Sequence, residues 1–198
     1  MYHDYLAAVD RSRRDAIAAR DVDTLRRITL HAVAFAAMTI QCPTDRAESA
    51  FADWAADGTV GAYLRTNRTR AITTAATWLN TLDVDAFAVD GWAFAEAIAA
   101  NVVGLGVAKA SFAAALAGHP EPYCLDVWGL RRSVALGLIT DISERDRLFR
   151  GPKRWANYRR IGGATFADRA AQWDYFAATA PTFGETGHRV YFAALGLA

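Results

Sequence analysis

The sequence has little of what disulfide scaffolds, metal clusters and membrane proteins require. Cys42 and Cys124 are its only cysteines, and two distant thiols build neither a disulfide framework nor a four-cysteine cluster. The longest apolar run, near residues 32–40, is about half as long as a membrane-spanning helix. The chain does not open with the charged and apolar segments of a signal peptide. These features predict a cytoplasmic protein with no membrane partner.

Proline and strand-forming runs are also scarce. The chain has 198 residues, only five of them proline, and few runs of Val, Ile and Thr, while 53% of its residues are hydrophobic. The apolar residues instead recur at helical spacing, as in "RRDAIAARDVDTLRRITLHAVAFAAM". A chain of this length can bury one sizeable core. The pattern predicts an all-α protein, folded as a single helical domain over residues 1–198.

Short loops divide this domain into a series of predicted helices. They cover residues 4–19, 22–40, 44–56, 59–66, 68–81, 91–101, 107–117, 127–137, 141–149, 153–160 and 166–179, and a last helix lies after Gly187. The loops are "QCPTD", "ADG", "LDVD", "GHPEP", "RGP" and "IGGA". We expect two helical lobes with a cleft between them. One lobe is 22–137, with a hairpin at 91–117, and the other combines 1–21 with 138–198.

Charge is unevenly distributed, although the formal net charge is only +1. Residues 104–162 contain ten Lys and Arg against five Asp and Glu, which gives this segment a net charge of +5. A basic face suits a phosphate backbone, but a solvated helix with outward-facing arginines would show the same count. Both interpretations also fit "RDRLFRGPKRWANYRR", where basic and aromatic residues alternate.

Two glycines separate the predicted helices 91–101 and 107–117, in the stretch "NVVGLGVAKASF". Gly104 and Gly106 can adopt backbone angles closed to other residues, and they leave N–H groups accessible at the start of the next helix. Such a turn can hold a phosphate oxygen, with or without a bound cation. A plain αα-corner, with glycines for close packing, explains the spacing equally well.

Asp126 comes after the turn-rich "GHPEPY" and precedes "VWGLRRSVALGL", so the sequence places it at the N-cap of a helix. The amides and dipole of that helix favour an ionised carboxylate. A structural cap needs no other explanation. What favours a function is the order of glycine hairpin, helix, loop and aspartate, with Arg131 five residues after Asp126.

In this order and spacing, "VVGLGVAKA…CLDVWGLRR" resembles the helix-hairpin-helix DNA glycosylases, which include endonuclease III and the adenine glycosylases. Their pattern reads L-P-G-V-G-x-x-T-A and, after a helix, V-D-T-H-x-x-R. Upstream, "FAAMTIQCPTDRAESAF" is similar to the family's S-A-Q-x-T-D helix end, matching Gln41, Thr44 and Asp45 with one extra residue. "TNRTRAITTAATWL" is similar to its N-x-K-A helix start. The resemblance covers residues 25–140.

The resemblance implies a helix-hairpin-helix glycosylase-like fold, with double-stranded DNA as the partner of a monomer. Gly104, Leu105 and Gly106 would place backbone amides on a phosphate near the target nucleotide, and a monovalent cation is possible there; no other cofactor is expected. Asp126 would stabilise the positive charge that develops on the sugar as the base departs, or would activate water against C1′.

The sequence names further candidate residues around this site. Gln41 matches the family residue near the flipped-out base, where its amide could fill the vacated space, but a solvated helix end is an equal alternative. Arg131 and Arg132 could bind backbone phosphate, or Arg131 could be a buried partner of a carboxylate. Trp128, beside the aspartate, is the tryptophan that we would place in the base pocket.

The sequence also departs from the family. Bifunctional members have a nucleophilic lysine two residues after the second glycine, where this chain has Ala108. Lys109 falls one position later, a helical rotation of about 100°, so we expect it to point elsewhere, towards phosphate rather than C1′. Val127 and Trp128 replace the family's T-H, and the iron–sulfur loop of many relatives is absent.

These observations lead to a hypothesis of a monofunctional DNA glycosylase that flips out a damaged or modified base and hydrolyses its N-glycosidic bond. The departures suggest an unusual base, such as a glucosylated hydroxymethylcytosine of phage DNA, which would make the role antiviral defence rather than repair. Two alternatives stay open. One is an enzyme that modifies a base within DNA without releasing it, and the other is a non-catalytic helix-hairpin-helix DNA-binding module.

Overall fold

The computed structural model describes residues 2–40, 42, 44–58, 67–179 and 191–196, and every regular element among them is a helix. The helices are α1 (Tyr2–Ala18), α2 (Val22–Met38), α3 (Thr44–Asp57), α4 (Asn67–Leu79), α5 (Val84–Phe87), α6 (Gly91–Asn101), α7 (Val107–Leu116), α8 (Val127–Ala135), α9 (Glu144–Leu148), α10 (Arg154–Thr165) and α11 (Arg169–Thr179). A further helical turn covers 191–194. The prediction of an all-α protein is confirmed. The helix predicted over 59–66 lies outside the described residues.

Aspartates mark where several helices begin. Asp21, Asp83, Asp90 and Asp126 precede α2, α5, α6 and α8, and each carboxylate accepts a hydrogen bond from an N–H group in the first turn. The side chain thereby satisfies amides that have no partner inside the helix. Local sequence therefore defines these helix starts, including that of α8, which positions Asp126.

The core is built around α2, which is buried from Ala32 to Met38 and packs against α1, α3, α4 and α7. α6 and α7 pack against each other as a helical hairpin. One cluster of buried hydrophobic side chains extends from Leu6 in α1 to Leu195 near the described C-terminus. It therefore includes residues of both predicted lobes, and the division into two lobes stays a prediction.

Two predicted loops turn out to contain helix. The single turn α5 begins within the predicted loop "LDVD" and extends from Val84 to Phe87, capped by Asp83. The predicted loop "IGGA" lies inside α10, which continues to Thr165. Gly162 does not break this helix; it allows close packing, because a Cβ atom there would come within 3.0 Å of the Tyr123 ring.

Among the described residues, no helix combines the length and the apolar character needed to cross a membrane. The apolar run near 32–40 instead contributes to the buried α2.

Candidate active site

The turn between α6 and α7 has the geometry that its glycines allow. Gly104 has φ +92°, a left-handed conformation that is strained for any residue with a Cβ atom. The Leu105 side chain is buried beneath the turn, whereas Gly104 and Gly106 are exposed. The Val103 N–H group donates to Thr74 Oγ1 at 3.1 Å, which ties the turn to α4. The turn is therefore anchored by its apolar residue and presents its glycines outward.

Gly106 is the N-cap of α7 and supplies no side-chain acceptor to the helix. A Cβ atom at Gly106 would have no protein atom within 4 Å. The first amides of any helix lack intrahelical partners and lie at the positive end of the helix dipole. The start of α7 is thus an open position at which an anion would find N–H donors.

Asp126 is at the N-cap of α8, as the sequence predicts. Its Oδ1 atom accepts hydrogen bonds from the N–H groups of Trp128 at 2.9 Å and Gly129 at 3.0 Å. No described residue donates a hydrogen bond to Oδ2. One carboxylate oxygen is therefore committed to the helix, and the other is available to a ligand.

Asp126 and the start of α7 line the same cleft, which has a volume of about 540 Å³. The cleft is lined by Thr39, Ile40, Gly106, Val107, Ala108, Lys109, Cys124, Leu125, Asp126, Val127, Arg145, Asp146, Phe149 and Arg150. These residues come from the end of α2, the hairpin, the loop before α8, and the region of α9. Gly106 and Asp126, about twenty residues apart in sequence, are thus brought to one site, whereas Gly104 and Leu105 of the turn do not line the cleft.

The carboxyl group of Asp126 is under opposing influences. Partial burial raises its pKa above the usual value, while the two α8 amides and the positive charge of Lys109 act to lower it. The net pKa is raised, so the group takes up a proton at a higher pH than an exposed aspartate would. Burial also raises the pKa of the neighbouring Cys124 thiol to about 12, which leaves that thiol protonated and a poor nucleophile.

Lys109 lines the same cleft as Asp126, and its orientation towards phosphate rather than C1′ stays a prediction. Its Nζ atom donates to Thr39 Oγ1 at 2.8 Å and lies 5.3 Å from the centroid of the Phe112 ring. The long lysine side chain reaches into the cleft from this position on α7. Burial lowers the pKa of the Lys109 ammonium, and the negative charge of Asp126 opposes this effect.

Arg132 and Trp128 occupy different surroundings from those predicted. The Arg132 Nε atom donates to the Thr165 carbonyl at 3.0 Å, and its guanidinium lies over the rings of Phe166 and Tyr175. Arg132 therefore joins α8 to α10 and does not line the cleft, and its role in phosphate binding stays a prediction. Trp128 does not line the cleft, and its ring is covered by the guanidinium of Arg131 at 4.6 Å.

Arg131 is exposed, so the alternative that it is a buried partner of a carboxylate is wrong. Its position at the surface of α8 leaves the role in phosphate binding as a prediction. Gln41, the candidate for the flipped-base region, lies outside the described residues. The residues just before it, Thr39 and Ile40, line the cleft.

The structure adds residues to the site that the sequence did not single out. Thr39 holds Lys109, and Arg145, Phe149 and Arg150 form the wall of the cleft beside α9. Asp146 lies between the two arginines, 3.4 Å from Arg145 Nε and 3.3 Å from Arg150 Nη2. The excess of basic residues in 104–162 indicated that arginines of this segment could take part in binding. No local sequence pattern points to Thr39.

The loop that carries Asp126 is held from α10 and α11 by two buried polar side chains, Tyr158 and Gln172. The Tyr158 hydroxyl accepts a hydrogen bond from the Leu125 N–H group at 2.7 Å. The Gln172 side chain bonds both the N–H and the carbonyl of Cys124. Both residues were missed from sequence, because they lie 33 or more positions away from the groups that they bind.

A cation at the hairpin would have to use only some of the turn carbonyls. The Val102 and Gly106 oxygens already accept the N–H groups of Leu105 and Ala110, so the carbonyls of 103–105 are the remaining candidates. The cation stays a prediction. Among the described ranges, no group of three or more His, Cys, Asp or Glu side chains is placed to hold a metal ion.

In comparisons with known proteins, no family model, no curated protein and no solved structure matched the chain.

Proposed function

We propose that this protein is a monofunctional DNA glycosylase that flips out a damaged or modified base and hydrolyses its N-glycosidic bond. The observation that carries the proposal is the shared cleft of Asp126 and the α7 N-terminus. A base-excising enzyme needs a phosphate-binding position and a carboxylate near the same nucleotide. The glycine turn and Asp126 would meet these needs together.

In this proposal the DNA backbone binds at the hairpin. A phosphate would accept N–H groups at the start of α7, where Gly106 leaves room for its approach. Arg145 and Arg150 are exposed beside the cleft, and their ion pairs with Asp146 would cost little to exchange for phosphate contacts. The backbone contacts would be independent of base sequence.

The flipped nucleotide would occupy the cleft beside Asp126. The free Oδ2 atom would stabilise the positive charge that develops on the sugar as the base leaves, or would accept a proton from the attacking water. Both roles need an ionised carboxylate, and the positive charge of Lys109 favours that form. Water would add to C1′ and leave an abasic site.

Lys109 is the residue that bears on the absence of lyase activity. Its Nζ atom donates to Thr39, and we propose that it acts through its charge on Asp126 and on the substrate, without forming a covalent bond. Trapping of a protein–DNA adduct by borohydride, or strand cleavage without alkali, would overturn this part of the proposal.

The substrate that we propose is a modified base rather than a common lesion. A cleft of about 540 Å³ is in the range of sites that enclose a drug-sized molecule, so a substituted pyrimidine, such as a glucosylated hydroxymethylcytosine, would have room. Excision of such a base from phage DNA would make the protein part of antiviral defence.

Incubation with unmodified, damaged and phage-modified duplexes, scored for abasic sites cleaved by hot alkali, tests the proposal. We expect abasic sites in the modified duplex and none in the unmodified one. Equal activity on ordinary damaged DNA, with none on modified phage DNA, would contradict the proposed substrate. No abasic site in any duplex would contradict the glycosylase.

The two alternatives predict different results in related experiments. An enzyme that alters a base within DNA would change the mass of a nucleoside in the duplex without releasing a free base. A non-catalytic binding module would retain its biological effect in an Asp126→Asn variant but lose it when Gly104 or Gly106 is substituted.

A further inference from the structure

The loop between α7 and α8 has no regular secondary structure over residues 119–126, yet it ends at Asp126. We propose that Tyr158 and Gln172 are positioning residues, which hold this loop so that the Asp126 carboxylate keeps its place in the cleft. The catalytic meaning of this inference rests on the proposed function. The geometric part concerns only the loop and the two helices that hold it.

Tyr158 binds the loop at two consecutive peptide groups. Its hydroxyl oxygen accepts the Leu125 N–H group at 2.7 Å and donates its proton to the Tyr123 carbonyl at 3.1 Å. The ring is completely buried among core residues. A hydroxyl that both donates and accepts fixes the peptides on either side of Cys124 relative to α10.

Gln172 binds the residue between these peptides. Its Oε1 atom accepts the Cys124 N–H group at 3.1 Å, and its Nε2 group donates to the Cys124 carbonyl at 2.7 Å. Gln172 is also completely buried. The side-chain amide therefore pairs with the backbone as a neighbouring strand would, in a loop that has no strand beside it.

Together the two side chains satisfy four backbone groups in residues 123–125, directly before Asp126. Buried backbone groups need such partners, so the loop has few alternative conformations while α10 and α11 stay in place. Gly162 contributes by letting α10 approach the Tyr123 ring. α8 is held to α10 as well, because the Ser133 and Thr165 hydroxyls lie 2.7 Å apart.

The chain offers a matched control for a Tyr158→Phe variant. Tyr191 is equally buried, and its hydroxyl donates to the Leu116 carbonyl at 2.8 Å, at the end of α7 and outside residues 119–126. Tyr191→Phe thus removes the same atom from the core without touching residues 123–126. A loss of stability common to both variants reports the missing buried hydrogen bond and not the position of Asp126.

We expect Tyr158→Phe to lower the single-turnover rate of base release between about tenfold and a hundredfold, with DNA affinity unchanged, because small displacements of a reacting group carry costs of that size. Tyr191→Phe should keep the wild-type rate once both proteins are assayed well below their unfolding temperatures. A Gln172→Met variant, which keeps the volume and loses both bonds, should resemble Tyr158→Phe. Equal rates in the Tyr158 and Tyr191 variants would overturn the inference.

Amide hydrogen exchange tests the geometric part without any enzymatic assay. In Tyr158→Phe we expect faster exchange at 124–129, including the Trp128 and Gly129 amides that bond Asp126, and unchanged exchange in α2. A uniform increase over the whole protein would contradict a positioning role. If the wild-type protein releases no base from any duplex, the proposed function fails, while this exchange pattern still decides whether the loop is held as we infer.

Discussion

Asp126 caps α8 and also lines the cleft. Its Oδ1 atom caps α8 through two amides, and burial of the carboxyl group raises its pKa. A carboxylate needed only as a cap would gain nothing from being partly buried, because the charge is then poorly solvated. The position is better suited to a group whose charge is needed in the cleft.

An Asp126→Asn variant should therefore lose base release while keeping its stability. Asparagine is as good an N-cap as aspartate and carries no charge to desolvate. We expect its free energy of unfolding at pH 7 to equal or exceed that of the wild type, whereas Asp126→Ala should lose about 1 kcal/mol with the cap. Urea unfolding of the three proteins measures this.

The sign of the pH effect provides a second check on the same variant. The pKa of Asp126 is raised in the folded protein, so ionisation of this carboxyl group costs more free energy in the folded than in the unfolded state. The wild-type protein therefore loses stability as the pH rises through that pKa. The stability difference between the Asn variant and the wild type should shrink as the pH is lowered. A lower stability of the Asn variant at every pH would contradict this view of the site.

Lys109 should influence the pH dependence of catalysis through its charge. Its ammonium lowers the pKa of Asp126, so a Lys109→Met variant should have a higher Asp126 pKa. Since the proposed reaction needs the carboxylate, we expect the acid limb of the rate profile to move to higher pH. Lys153→Met, at an exposed lysine that does not line the cleft, is the control. An unchanged acid limb in Lys109→Met would exclude electrostatic coupling between the two residues.

Residue by residue, local chemistry could be predicted and long-range contacts could not. The N-cap role of Asp126 was predicted from the loop before it and the helix after it, and the structure has it there. The surroundings of Lys109 and Arg132 depend on Thr39 and Thr165, which are 70 and 33 positions away. No local pattern contains that information.

At the scale of elements, the hairpin uses its two glycines for different reasons. Gly104 needs its positive φ, whereas Gly106 has φ −80° and ψ 178°, angles that any residue can adopt. A methyl group at Gly106 would also meet no protein atom. The fold itself therefore favours a glycine at 104, whereas only an approaching ligand would favour one at 106.

We expect Gly104→Ala to lose about 1–2 kcal/mol of stability through left-handed strain. Gly106→Ala should lose under about 1 kcal/mol but bind duplex DNA more weakly, because its methyl group would stand where a phosphate approaches. Thermal unfolding and DNA titration at constant salt separate the two effects. Wild-type affinity in Gly106→Ala would exclude close phosphate approach at this turn.

Adjacent glycines in α10 make a second matched pair. A Cβ atom at Gly162 would press on the Tyr123 ring, while one at Gly163 would meet nothing within 4 Å. Gly163→Ala should stabilise the protein by about 0.5–1 kcal/mol, the usual gain in a helix interior. Gly162→Ala should not show this gain, since Tyr123 must move. Equal stabilisation of both variants in urea unfolding would contradict the close packing of α10 on the loop.

This pair also explains where helix prediction failed. Two consecutive glycines ordinarily interrupt a helix, so "IGGA" was predicted as a loop, but packing against Tyr123 keeps the helix continuous there. Where an aspartate cap coincides with helical periodicity, as at Asp21, Asp90 and Asp126, the predicted starts of α2, α6 and α8 are confirmed. Tertiary packing overrides propensity at the glycines, and local capping suffices at the aspartates.

On the scale of the whole molecule, separate parts of the chain converge on the cleft. The end of α2, the hairpin, the loop before α8 and the region of α9 all line it, and α10 and α11 hold the loop from behind. Eight of the ten basic residues within 104–162 are exposed. Two of these exposed residues, Arg145 and Arg150, line the cleft, and under the proposed function they would attract a polyanion towards it.

Mass spectrometry of the small molecules released from a duplex that contains the modified base tests the proposed base excision most directly. We expect the wild-type protein to release a free base in step with the formation of abasic sites, and Asp126→Asn to release none while it binds the same duplex with unchanged affinity. Release of the base at the wild-type rate by Asp126→Asn, or a change in the nucleoside with no free base, would contradict this expectation.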